Sequence, residues 1–412
     1  MEATVLFIFL AVYLGMILGD FPFLQIDRTG IALLGAIALV GSGAVSPEEA
    51  ARSVHLPTVL LLFSFMVLSA QMRLGGFYTW VTQRVAGLPS SPPALLAYLI
   101  AVVAALSAVF SNDIVCLAMA PVLADACVRR QLNPVPYLLA LACAANIGSA
   151  ATLIGNPQNM LIGETLNLSF AAYSRTAVVP VLLALAVTWA IIARTSRGQW
   201  ALARGSTADA QFERRDEDEA RFDLWQTVKG LAVALALLVV FLFTDWPREV
   251  AALTGAGLLL LSRRLHSNKM LGLVDWELLV LFIGLFVVNH ALQHTGLAAR
   301  GLAALAAAGL PLDSPGPMFL ITLAGSNLVS NVPAVMLLLP AATQEWSGPL
   351  LALTSTLAGN LLIVGSIANI IVVDAAARRG IRIDWRLHAR VGVPVTLATL
   401  GIAAAWLAWS LR

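Results

Sequence analysis

Apolar runs of about 15 to 22 residues follow one another from one end of the chain to the other, and no polar stretch is long enough to enclose a core of its own. Runs of this length are membrane helices, because hydrocarbon demands that every backbone N–H and C=O be paired within the fold. The balance of residue types agrees: 59% are hydrophobic and 12% charged, where a soluble domain carries about 25% charged residues. The chain therefore reads as an all-α polytopic membrane protein. Its one extended hydrophilic piece is Ala193 to Asp223, which contains "FERRDEDEARF". The N-terminal "MEATVLFIFLAVYLGMILG" lacks the basic flank and small-residue cleavage site of a signal peptide, so a retained first span is expected. A net charge of +2 gives no reason to expect a nucleic-acid partner.

The first half of the chain recurs in the second. Arg28 and Gly35 of "DRTGIALLGA" match Arg248 and Gly255 of "PREVAALTGA"; "FMVLSAQMRLGG" from Phe65 aligns with "LFVVNHALQHTG" from Leu285; "AGLP" at Ala86 returns at Ala308. Ser111-Asn112, with Pro121 beyond, is matched by Ser330-Asn331 and Pro340, and "TLIGNPQN" (Thr152 to Asn159) by "LIVGSIAN" (Leu362 to Asn369). Five matches in one order at offsets of 210 to 222 mark a tandem duplication.

Each half reads as five spans, one of them broken at the Gly/Asn motif, plus a hairpin interrupted at Ser-Asn. The hairpins cover residues 94–128 and 316–341, and the broken spans 136–163 and 349–374. If the hairpins re-enter instead of crossing, five crossings per half make the second repeat inverted, giving about ten spans plus two hairpins. The expected units are an N-terminal repeat, 1–194, a cytoplasmic linker, 195–223, and an inverted C-terminal repeat, 224–412. Charge supports this topology. With the linker inside, all but five of the 25 basic residues fall on the cytoplasmic side; Arg52, Arg175, Arg248, Arg300 and Arg412 remain outside. Both termini are then expected outside, in a bacterial-type inner membrane.

Non-helical backbone at membrane depth is tolerated only against protein or a wet cavity, so the breaks should meet in the interior, as in inverted-repeat secondary transporters. Ser111, Asn112, Asp113, Asn156 and the Ser330-Asn331 pair are helix-capping types, and Pro157 and Pro333 suit a first helical turn. Gly148, Gly155, Gly359 and Gly365 allow turns and close approach of a small solute. Close packing of helices would also explain any single Gly/Asn pair; four sites in matching positions favour a solute site. An Asp at a helix centre costs about 3 kcal/mol on insertion scales. Asp113 is thus read as a carrier of a proton or cation, its bland alternative being a cap, and the second repeat has Val332 in its place. Cys116, Cys127 and Cys143 match no zinc or redox spacing; Cys116, one turn beyond Asp113, is a weak metalloid-contact candidate. His290 and His294 read as interfacial. No resident cofactor or metal is implied.

"ANIGSAATLIGNPQN", "FSNDIVCLAMAP", "VSNVPAVMLLLP" and "GNLLIVGSIAN" resemble the paired signatures of the ion transporter superfamily. Within it they are most similar to the arsenical-pump membrane protein (ArsB) and its relatives, including antiporters of the NhaD type and the melanosomal P protein, with dicarboxylate and citrate carriers more distant. The resemblance spans both repeats. It implies substrate bound between hairpin tips and broken helices, and hence a site of Ser111, Asn112, Asp113, Asn146, Thr152, Gly155, Asn156 and Asn159 from one half. The other half would give Ser330, Asn331, Asn360, Gly365, Ser366 and Asn369. Dicarboxylate carriers have Ser-Asn-Thr in both repeats, whereas this chain has Ser-Asn-Asp and Ser-Asn-Val.

An ionised carboxylate beside a dianion in a low-dielectric cavity would repel it, so a neutral or cationic solute matches better. The expected activity is proton-coupled export of trivalent arsenic or antimony hydroxide, a small inorganic solute. The alternatives are sodium- or proton-coupled import of a dicarboxylate or citrate-type anion, and sodium/proton antiport; H⁺ is the expected coupling ion and Na⁺ its alternative. No Gly-x-x-x-x-Gly-Lys-[Ser/Thr] loop is present, so any ATP hydrolysis would need an associated ATPase subunit, for which the basic linker is the candidate docking surface. No enzyme constellation shares a plausible face. Monomer and homodimer both remain open.

Overall fold

The computed structural model of the chain describes residues 1–19, 26–202 and 222–410. Apart from one isolated bridge between Leu132 and Ala201, the regular structure among these residues is helical. The first half runs α1 (Glu2–Leu18), α2 (Arg28–Gly41), α3 (Pro47–Ser53), α4 (Leu56–Leu74), α5 (Phe77–Ala86), α6 (Pro92–Val109), α7 (Asn112–Arg129), α8 (Pro134–Ser149), α9 (Pro157–Thr165) and α10 (Phe170–Thr195). The second half repeats that order: α11 (Leu224–Phe243), α12 (Arg248–Leu260), α13 (Ser267–Leu271), α14 (Trp276–His294), α15 (Leu297–Ala307), α16 (Pro315–Val329), α17 (Asn331–Leu338), α18 (Ser347–Ala358), α19 (Ile367–Ala377) and α20 (Trp385–Ser410). Residues 203–221, most of the expected linker and its candidate docking surface, lie outside the described residues.

Among the described residues six helices are long and apolar enough to cross a membrane: α4, α6, α10, α11, α14 and α20. Of the other expected crossings, α1, α2 and α12 have 17, 14 and 13 residues, and the two broken spans are divided into α8 and α9, of 16 and 9 residues, and α18 and α19, of 12 and 11. At 1.5 Å per residue α1, α2 and α12 are about 20 to 26 Å long, short of a hydrocarbon core of about 30 Å. Part of the difference is that an apolar run need not be helical throughout. The apolar run over residues 29–45, one of the expected spans, leaves the helix at Gly41 and finishes in a turn whose Val45 is buried. In the first hairpin, conversely, each arm is a full 18 residues. Four short helices, α3, α5, α13 and α15, lie outside the expected spans; α5 and α15 each follow a left-handed glycine, Gly76 (φ 68°) and Gly296 (φ 72°), at matching places in the two halves.

The interior is organised around α8, buried on every face, with α18 almost equally enclosed. A helix apolar all round belongs in the middle of a bundle. Against α8 lies α6, at backbone contact: a Cβ on Gly148 would sit 2.4 Å from Ala104 Cα. The halves interlock, α2 packing on α14 and α12 on α4, while α10 packs along α20 and α7 along α19. Outward-facing Leu10, Leu14, Leu182, Leu183, Leu235 and Val239 form the apolar surface expected against lipid. Exposed Trp225, Trp276 and Trp385 stand at helix starts and Trp409 at a helix end, as interfacial aromatics do.

Candidate functional site

Four helix interruptions meet in this interior. α6 ends at Val109 and α7 begins at Asn112; α16 gives way to α17 at Ser330; α8 and α9 are separated by residues 150–156; α18 and α19 are separated by residues 359–366. The backbone ties the first hairpin tip to the first break: the Asn112 amide donates to the Gly155 carbonyl at 3.1 Å, and the Thr152 hydroxyl donates to the Ala108 carbonyl. Gly155 is confined here, since a Cβ on it would lie 2.3 Å from the Ser149 carbonyl oxygen.

Asn146, in the last turn of α8, uses all four hydrogen-bonding capacities of its amide. Its Oδ1 accepts from Asn112 Nδ2 at 3.0 Å and from Ser366 Oγ at 2.9 Å. Its Nδ2 donates to Asn360 Oδ1 at 2.9 Å and Asn369 Oδ1 at 3.3 Å. Asn369 in turn donates to the Gly359 and Leu362 carbonyls, closing the second break on itself. All five residues are buried.

Thr356, on α18, is a second hub. Its hydroxyl accepts from Asn156 Nδ2 at 3.3 Å and Gln158 Nε2 at 3.2 Å, and donates to Asn159 Oδ1 at 3.3 Å. Asn156 caps α9 by accepting from the Asn159 amide at 2.9 Å, and also donates to Ser149 Oγ. Asn159 Nδ2 donates to the Thr152 carbonyl and to Tyr173. His388 faces the Asn360 carbonyl at 3.1 Å.

The structure thus brings together Asn112, Asn146, Thr152, Gly155, Asn156, Asn159, Asn360, Ser366 and Asn369 of the expected set, with Gly365 in the second break. Ser111 and Ser330 stand at the two hairpin tips, but neither side chain caps its helix. Ser330 instead adopts φ 75° and ψ 162°, a left-handed region suited to glycine. The amide of Asn331 lies beside Gly359, outside the Asn146 network. Asp113, half-buried in the first turn of α7, is not a member of it either; the Ala368 backbone N–H, in the first turn of α19, faces its carboxyl. Cys116 is a buried free thiol, as are Cys127 and Cys143.

Five buried amide atoms have no hydrogen-bond partner among the described residues: Gln71 Oε1, Asn327 Oδ1 and, at the hairpin tips and the second break, the acceptors Asn112 Oδ1 and Asn331 Oδ1 and the donor Asn360 Nδ2. Leaving such a group unpaired costs about 1–3 kcal/mol, so Asn112 Oδ1, Asn331 Oδ1 and Asn360 Nδ2 are the atoms a polar solute would engage at the breaks. The network is made of neutral amides and hydroxyls, with the Asp113 carboxylate at its edge. Sequence reasoning missed Thr356, Ser149, Gln158 and Tyr173. Thr356 was within reach, because it stands 210 positions after Asn146, the offset that relates the two Gly/Asn motifs.

Residues 5–346 match the model of a family described as CitMHS, citrate transporter. The "46 kDa membrane protein" of Mycobacterium leprae (strain TN) is 29% identical over 414 residues, 93% of this chain and 94% of its own length. The silicon efflux transporter LSI3 of Oryza sativa subsp. japonica is 30% identical over 452 residues, 92% of each. The putative transporter arsB of Dictyostelium discoideum is 22% identical over 489 residues, 92% of this chain and 86% of its own. Among solved structures, the YdaH transporter of Alcanivorax borkumensis superposes with a TM-score of 0.56 at 13% identity, over 99% of this chain and 98% of its own, a likeness of fold alone.

Proposed function

For a chain that belongs to the CitMHS citrate transporter family, and is therefore a multi-pass membrane transporter, we propose the export of a neutral trivalent metalloid hydroxide, arsenite or antimonite, in exchange for protons. The observation that carries this reading is the buried network of amides and hydroxyls with one carboxylate at its edge. A neutral hydroxide can donate O–H to Asn112 Oδ1 and Asn331 Oδ1 and accept from Asn360 Nδ2, satisfying three orphaned groups without bringing a charge into a low-dielectric site. Asp113 carries the proton: protonated on the outer side and released inside, it couples solute exit to proton entry. Silicon, like trivalent arsenic, is a neutral hydroxide in water, and relatives named for silicon efflux and for arsB support inorganic export.

The cycle is alternating access between two inverted five-span repeats, 1–194 and 224–412, joined by a cytoplasmic linker, 195–223, in a bacterial-type inner membrane with both termini outside. Re-entry of the first hairpin is supported by its tip, which bonds to a break within another span. Reciprocal packing of α2 on α14 and α12 on α4 supports the two-fold relation. The second reading is proton- or sodium-coupled transport of a citrate-type anion, favoured by the family's description and by helix starts at Asn112, Pro157 and Ile367, whose positive dipole ends attract anions. The Asp113 carboxylate opposes it. Uptake of arsenite, citrate and sodium into energised everted vesicles separates the readings: uncoupler-sensitive arsenite accumulation is expected, and citrate or sodium accumulation without arsenite overturns the proposal.

A further inference from the structure

Glu164 is the eighth residue of α9 and Asp374 the eighth of α19, and Arg248 and Arg28 open α12 and α2 at matching places in the two halves. These four positions form two equivalent pairs, yet the structure treats them differently. Arg248 Nε meets Glu164 Oε1 at 2.9 Å with both side chains largely buried, 14% and 8% exposed, and its guanidinium also donates to the Gly163 carbonyl at 2.8 Å. Asp374 instead accepts from Arg378, one turn along its own helix, at 2.8 Å, with 55% of its side chain exposed. Packing follows the same division. α9 lies on α4, whereas no comparable packing among the described residues joins α19 to α14, its counterpart. On that side Arg379 clamps Asp125 at 2.7 and 3.2 Å, so α19 is tied to α7 and not to the opposing helices.

We propose that Glu164 and Arg248 form a latch that holds one face of the transporter shut, and that Asp374 and Arg28 are the matching latch of the other face, closing when the first opens. The inference rests on the inverted, alternating-access arrangement proposed above, and not on the identity of the solute. In the stroke, Glu164 releases Arg248 while Asp374 leaves Arg378 for Arg28. The largely buried Glu164–Arg248 pair is exchanged for Asp374–Arg28, while the exposed Asp374–Arg378 pair, which contributes little in water, is given up and Arg28 leaves the contact it holds here; neutralising one latch should shift the population toward the state held by the other.

The test uses the full chain in membrane vesicles with paired cysteines and a short bis-methanethiosulfonate linker, since a direct disulfide requires Cα atoms within about 7 Å. The parent protein, whose three cysteines are buried, is the control. E164C/R248C should link, and R28C/D374C should link in a smaller fraction. R248Q added to R28C/D374C should raise that fraction at least two-fold. No linking of R28C/D374C, or a yield that R248Q leaves unchanged, overturns the proposal. Should a cysteine pair fail to insert, charge exchange replaces it: transport lost in R28E and in D374R and regained in R28E/D374R is expected, and no regain overturns the pairing. Vesicles that fail to accumulate arsenite while linking still shifts with R248Q would remove the solute assignment and leave the latch standing.

Discussion

Asn146 and Thr356 stand 210 positions apart and hold reciprocal places. Each reaches from the broken span of its own half to the helix start of the other, Asn146 to Ser366 and Asn369, Thr356 to Asn156 and Asn159. The interior is thus stitched by two related sets of hydrogen bonds, and its asymmetry lies in the residues around them, Asp113 above all.

Asn146→Asp keeps the acceptors for Asn112 and Ser366 but removes the donors to Asn360 and Asn369 and adds a charge. Each orphaned buried partner costs about 1–3 kcal/mol. Transport should fall at least about ten-fold, the factor that ~1.4 kcal/mol represents, and the thermal midpoint in detergent should drop. Unaltered transport in vesicles would show that the amide is not the hub.

Thr356→Val deletes a hydroxyl with three partners while keeping shape, and Thr356→Ser restores it. The valine variant should be destabilised by about 1–3 kcal/mol and the serine variant by less, read as thermal midpoints side by side. Equal midpoints would contradict the bonding described.

Gly155→Ala places a methyl group 2.3 Å from the Ser149 carbonyl oxygen, with backbone on both sides. Overpacking of this kind costs about 1–3 kcal/mol or more. The variant should show reduced insertion and a lower thermal midpoint, and a wild-type midpoint would mean that the break can spread.

Ser330→Gly should do the opposite. A non-glycine residue at φ 75°, ψ 162° stores about 1–3 kcal/mol of backbone strain, so glycine should raise the thermal midpoint of this conformation. A lowered midpoint would indicate that the Ser330 side chain contributes more than its backbone costs.

The breaks were legible because Ser-Asn and Gly/Asn are conspicuous in apolar surroundings, and because the repeat singled out the same places twice. Thr356 and Ser149 were not: a Ser or Thr in a membrane helix can bond its own backbone and leaves no polar interruption to notice. Span lengths were legible only as apolar runs, which continue through buried turns such as the one ending at Val45. The expected caps at Ser111 and Ser330 failed for a related reason. Residue type identifies a helix start, but whether the side chain bonds the first-turn amides depends on how the hairpin tip is held from outside, at Asn112 by Gly155 and Asn146.

The central claim is that Asp113 carries the proton that drives export of a neutral hydroxide. Its most direct measurement is arsenite accumulation in everted vesicles under an imposed proton gradient, for the wild-type chain and Asp113→Asn, alongside arsenite counterflow without a gradient. Loss of gradient-driven accumulation with counterflow retained in Asp113→Asn is the predicted result. Gradient-driven accumulation undiminished by the substitution would contradict it.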